Sequence, residues 1–152
     1  MKKLTIPKIR TYIEEIESTF LTQSRVDFSF DRKWSSNFPD AGGVYTIFDK
    51  NILVYIGESA NIKERMKEIK RTYNHSFRRK LGKRLFNNPP MEKRKFSPEI
   101  EIALNEYYLD NISISALEIN FGRLEIESYL IHKYKDTGIL NTIGKRNATQ
   151  LI

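Results

Sequence analysis

Two tyrosines, Tyr45 and Tyr55, stand in the β-rich runs "GVYTIF" and "ILVYIG", on either side of an Asp49-Lys50-Asn51 turn signal. A phenol titrates near ~10, so it takes a proton at neutral pH only where a metal or nearby cations favour the phenolate. Cations follow directly in the sequence. Residues 63 to 95 hold thirteen Lys or Arg against three Glu, a net +10, whereas the whole chain carries +7. The other residues are therefore mildly acidic, and the basic segment makes a one-sided field that attracts a polyanion and releases its counterions. The plainer reading of such a run is a solvated helix face.

These side chains need elements that hold them. Alternation along a strand puts Tyr45 on one face with Ile47, and Tyr55 on one face with Leu53. Antiparallel pairing of the two runs then brings both phenols to one surface of a hairpin. Upstream, Ile6, Ile9, Tyr12, Ile13 and Ile16 recur at spacings of three and four and predict an amphipathic helix over 6 to 21. Residues 22 to 43 read as irregular. Ser59 is a cap for a helix over about 60 to 71, and His75 to Phe86 reads as a second, with Phe77, Leu81 and Leu85 on one face. Ser97-Pro98-Glu99 is a helix start, "ISISALEI" alternates Ile112, Ile114 and Ala116 like a half-buried strand, and a last helix runs from about Arg123 to Lys135. The expected fold class is α/β (α+β): a small mixed or antiparallel sheet of about three strands flanked by helices. One domain over 1–152 is expected, with an N-terminal helical extension (1–40) and a core (41–141).

Composition narrows the functions. At 152 residues a two-domain enzyme or repeat array is disfavoured, and 39% hydrophobic residues suffice for a core. The absence of cysteine excludes disulfides, thiolate zinc sites and cysteine nucleophiles together. No run approaches a membrane span, and the basic start meets Glu14, Glu15 and Glu17 instead of the apolar stretch of a secretory signal. A soluble cytoplasmic protein is the simplest expectation.

"GGVYTIF", "YIGES", "NIKER" and "LEIESYLIHKYKDTGILN" occur in order, with nine residues between Tyr45 and Tyr55, Arg65 ten residues past Tyr55, and Asn141 fourteen past Glu127. In this ordered combination the chain resembles a GIY-YIG nuclease domain, over Gly43 to Asn141, about two thirds of its length. Members of that family include homing endonucleases, an excision-repair subunit, structure-specific nucleases and restriction enzymes. The resemblance implies a DNA endonuclease that uses a divalent metal, Mg²⁺ or alternatively Mn²⁺.

By that similarity Tyr45 is the preferred general base and Tyr55 positions the water or phosphate. Arg65 contacts the scissile phosphate, which a planar guanidinium can grip through two oxygens. Glu127 is the metal ligand, and Asn141 tethers the final turn to the site. Each has a structural alternative: interior tyrosines with bonded hydroxyls, a solvated arginine, an exposed helix glutamate paired with lysine, and a capping asparagine. Glu118 and Glu125 compete with Glu127, although Glu125 lies about 200° round the helix from it. One carboxylate with phosphate oxygens and waters is a normal Mg²⁺ shell. Gly43 and Gly57 are expected to permit close backbone approach.

The sequence departs from the family pattern twice. Ile69 stands where many members carry His or Tyr, leaving Tyr73 and His75 as substitutes, and Glu58 stands where some carry Lys, leaving Lys63 as the nearby cation. The expected DNA contacts are Lys63, His75, Arg78, Arg79, Lys80, Lys83, Arg84, Lys93, Arg94 and Lys95. Few residues remain for target reading, which favours a compact restriction-type enzyme acting as a homodimer on DNA. The alternatives are a catalytically silent nucleic-acid-binding module and an RNA-processing nuclease, since phosphates look alike in both polymers.

Overall fold

A computed structural model describes residues 5–141. The expected helix at the start is α1, Ile6–Thr22, with a proline in its first turn. Two strands flank the turn signal as expected: β2, Gly43–Asp49, and β3, Ile52–Ser59. Lys50 and Asn51 both have positive φ, 49° and 68°, as a two-residue hairpin loop of type I′ requires. The next helices are α2 (Ile62–Glu68), α3 (Ser76–Leu85) and α4 (Pro98–Asn111). Strand β4, Ile112–Glu118, leads to α5, Arg123–Tyr134.

The sheet is antiparallel throughout, in the order β1 (Val26–Asp27), β4, β2, β3. It has four strands where about three were expected, because Val26–Asp27 forms a two-residue β1 on the edge of β4. So short a strand has no alternation to read. It also ties part of the N-terminal region to the core, where Phe28, Trp34 and Phe38 are buried.

Each face of the sheet carries its own apolar layer. Val44 and Ile56 pack with Ile13, Ile16 and Phe20 of α1 and with Ile126, Leu130 and Ile131 of α5. Tyr45, Ile47 and Tyr55 pack opposite, with Ile62 and Met66 of α2, Phe77 and Leu81 of α3, and Leu104 and Tyr108 of α4. Full burial of one such side chain contributes about 1.5–3 kcal/mol. Strand β4 is covered on both sides, Ser113 and Ser115 being buried as well as Ile112 and Ile114, so it is not the half-buried strand expected.

Two local expectations are corrected. Asn61, not Ser59, caps α2: its side chain accepts from Glu64 N–H, while Ser59 accepts from Asn61 N–H. The hairpin also carries a register shift between Ile47 and Phe48, which pair with Tyr55 and Leu53. The extra residue turns Leu53 to the opposite layer from Tyr55. Tyr45 and Tyr55 nevertheless share a face.

Candidate active site

Strand register sets the first pair. Tyr45 lies opposite Gly57 and Ile47 lies opposite Tyr55, so the two phenols stack with centroids 6.3 Å apart and planes 22° apart. Gly57 makes room for this. A Cβ there would lie 2.2 Å from Tyr45 Cζ and 2.4 Å from its hydroxyl oxygen.

The start of α3 supplies the next two groups. His75 is the N-cap, its Nδ1 accepting from Phe77 N–H at 3.2 Å, and its Nε2 lies 2.9 Å from the Tyr45 hydroxyl. Ser76 Oγ shares a hydrogen bond of 2.7 Å with the Tyr55 hydroxyl. His75 is fully buried, and burial first, then the charges of Arg65 and Arg79, hold it well below the ordinary imidazole range. The ring is therefore neutral at pH 7. With Nδ1 accepting from Phe77, its one proton sits on Nε2 and is donated to the Tyr45 oxygen. His75 thus reaches the site from inside, and it is not a surface contact for DNA phosphate. Of the two substitutes considered for Ile69, it is His75 that meets Tyr45. Tyr73 is 41% exposed and lies under the Lys95 ammonium.

Arg65 comes from the last turns of α2. One Nη1 donates to Glu68 Oε2 at 2.8 Å and to the Asn74 carbonyl at 3.2 Å. The guanidinium also faces the Tyr45 hydroxyl closely enough to favour its charged form. Tyr45 is 1% exposed, and its pKa is raised well above the phenol range, by burial first and then by Tyr55, with Arg65 pulling the other way. At rest it is therefore a phenol whose oxygen faces two cationic or N–H donors. The cation beside it is Arg65 rather than Lys63, which sits half-buried in the first turn of α2. Glu58 pairs with Arg123 at 2.9 Å.

Glu127 is 4% exposed on α5, so it is not an exposed helix glutamate, and its charge is felt at Tyr45. Its competitors sit differently: Glu118 is exposed and Glu125 half-buried. Asn141 makes two bonds to one residue of the edge strand, accepting from Ile56 N–H at 3.2 Å and donating to the Ile56 carbonyl. With Leu140 N–H on the Val54 carbonyl, this closes the outer edge of β3. Both ends of the amide are thus occupied by backbone, which makes Asn141 a positioning residue.

The basic segment divides. Arg78 is 1% exposed and leaves the list of DNA contacts: it bonds Thr72 Oγ1, the Glu101 carboxylate and carbonyl, and Asn105, with its guanidinium 5.0 Å from the Tyr108 ring. Arg79 is half-buried, while Lys80, Lys83, Arg84, Lys93, Arg94 and Lys95 are exposed. Ser76 and Glu68 were missed as members of the site. Glu68 carries a readable signal, its spacing of three from Arg65 on one helix, whereas nothing in sequence links Ser76 to Tyr55.

Among the described residues no group of three or more His, Asp or Glu is placed to hold a metal, and no helix is long and apolar enough to cross a membrane. No family model matches the chain, and no curated protein or solved structure matches it either.

Proposed function

We propose that the chain is a cytoplasmic, metal-dependent endonuclease that hydrolyses DNA phosphodiester bonds, of restriction type and acting as a homodimer. The observation that carries this reading is the Tyr45 oxygen, buried beside Tyr55 and held by His75 Nε2–H and the Arg65 guanidinium. A merely structural tyrosine needs one partner for its hydroxyl. This one faces donors that favour the phenolate, next to a basic surface suited to a polyphosphate.

In the proposed reaction Tyr45 first gives up its hydroxyl proton to solvent, and as the phenolate it then takes the proton of the attacking water. Burial opposes the phenolate, and Arg65 and the His75 N–H oppose that cost by charge and by hydrogen bonding. His75 keeps its proton on Nε2 throughout, so its role is to orient and stabilise. Tyr55, fixed by Ser76, positions the water or phosphate. Arg65 has donors beyond the one given to Glu68 and Asn74, and these relieve charge on the phosphate.

A buried carboxylate is the hard oxygen donor that Mg²⁺ or Mn²⁺ takes, so Glu127 fits the role of metal ligand. The cation, when bound, supplies further charge relief at the phosphate.

The test is incubation of the purified protein with Mg²⁺ and supercoiled DNA, linear DNA and RNA in parallel. Mg²⁺-dependent DNA cleavage supports the reading. Cleavage of RNA alone replaces it with RNA processing, and binding without cleavage replaces it with a silent binding module.

A further inference from the structure

Three consecutive residues beside the catalytic cluster each receive a cation from a different element. Arg79 of α3 donates to the Thr72 carbonyl at 2.8 Å. Lys95, from the loop before α4, sets its ammonium 5.1 Å from the Tyr73 ring centroid. Arg65 of α2 donates to the Asn74 carbonyl at 3.2 Å. Arg94 precedes Lys95 in the same loop, with Lys93 and Arg94 both at positive φ, 50° and 60°.

We infer that the Thr72–Asn74 turn, with Arg79, Arg94 and Lys95, forms a second phosphate subsite, which holds the DNA phosphate next to the one to be cut. This rests on the endonuclease reading and deepens it, because the substrate must then present two neighbouring phosphates. Like charges gathered on one turn repel one another. Glu68 pairs with Arg65, and the Glu101 carboxylate that accepts from the Thr72 hydroxyl is taken up by Arg78, whereas no described carboxylate pairs with Arg79, Arg94 or Lys95. The crowding is visible at Arg79, whose guanidinium is pushed down by burial first and then by Arg94, with Arg65 adding to it. An anion seated there relieves that repulsion. Arg79 is already anchored through one of its five N–H groups, so the rest are pre-oriented at low entropic cost.

The subsite is tested by anisotropy of a fluorescein-labelled, mixed-sequence DNA duplex, titrated with KCl in EDTA. The Arg79→Gln, Arg94→Gln pair should lower the slope of log affinity against log salt by roughly ~0.9, one phosphate contact. The Lys versions of both should restore it, and Lys8→Gln on exposed α1 should leave it unchanged. If the pair fails to fold by circular dichroism, Arg94→Gln alone, on an exposed loop, should still lower the slope. A wild-type slope in a folded variant overturns the subsite. Its position is tested on a DNA that the protein cuts, by replacing the phosphate flanking the cut with a neutral methylphosphonate. The wild type should slow and the paired variant should not respond, and an unaffected wild type removes the subsite from the cut. A protein that cuts DNA with an unchanged variant slope loses the subsite alone, and one that loses slope but cuts nothing keeps a phosphate contact on this turn while losing the nuclease reading and, with it, the contact's place beside a cut.

Discussion

The Tyr45 hydroxyl lies 2.9 Å from Nε2 of His75, thirty residues further along the chain. Because Nδ1 of the same ring accepts the Phe77 N–H, the contact has a direction: imidazole donates and phenol accepts. The N-cap that starts α3 is therefore also the group that orients the candidate base.

That buried ring makes stability depend on pH. Its folded pKa lies well below the ordinary 6.5, so between the two values the unfolded chain binds a proton that the folded chain does not. Stability should therefore fall as pH drops below about 6.5, by up to ~1.4 kcal/mol per pH unit. Urea unfolding at stepped pH measures this. His75→Gln should flatten the dependence in that window, and an unaltered slope would assign it to other groups.

Gly57→Ala should destabilise the protein by about 1–3 kcal/mol, the usual cost of forcing atoms into a packed core, because its Cβ meets the Tyr45 ring at 2.2 Å. Cleavage should fall with it. A thermal melt unchanged from wild type would mean that the ring moves aside freely.

Arg78→Ala should cost about 3 kcal/mol or more, since it leaves the Glu101, Thr72 and Asn105 groups without their common partner. The salt slope of DNA binding should not change. Lys83→Ala with Arg84→Ala should do the reverse, lowering the slope by roughly ~0.9 per lost contact at little cost in stability. Swapped outcomes would turn the assignment of α3's faces around.

Glu127→Gln should abolish cleavage while leaving DNA binding in place. Normal turnover by that variant, with Glu125→Gln dead, moves the metal ligand two residues upstream.

Elements with a long apolar period were legible in the sequence, as α1, α5 and the hairpin illustrate. What escaped depends on tertiary contact. Strand β1 is two residues long and exists only as a partner of β4. Leu53 changes face because a bulge breaks the period of two. Arg78, Arg79 and Lys80 are chemically alike in sequence, yet the rotation of α3 buries the first among α4 side chains, half-buries the second and exposes the third. The two tyrosines came together through register, which sequence spacing anticipates. The meeting of Tyr45 with His75 and Arg65 required α2 and α3 to fold back over the hairpin, and no spacing rule reports that.

The most direct test of the catalytic reading is the single-turnover cleavage rate of Tyr45→Phe against Tyr55→Phe at saturating Mg²⁺, where binding and product release do not mask chemistry. Phe keeps the ring over Gly57 and removes only the oxygen that His75 and Arg65 address. Tyr45→Phe should lose roughly ~10²-fold or more, the scale of a missing general base, and Tyr55→Phe distinctly less. A far larger loss in Tyr55→Phe would place the base on β3, and full rates in both would contradict a phenol mechanism.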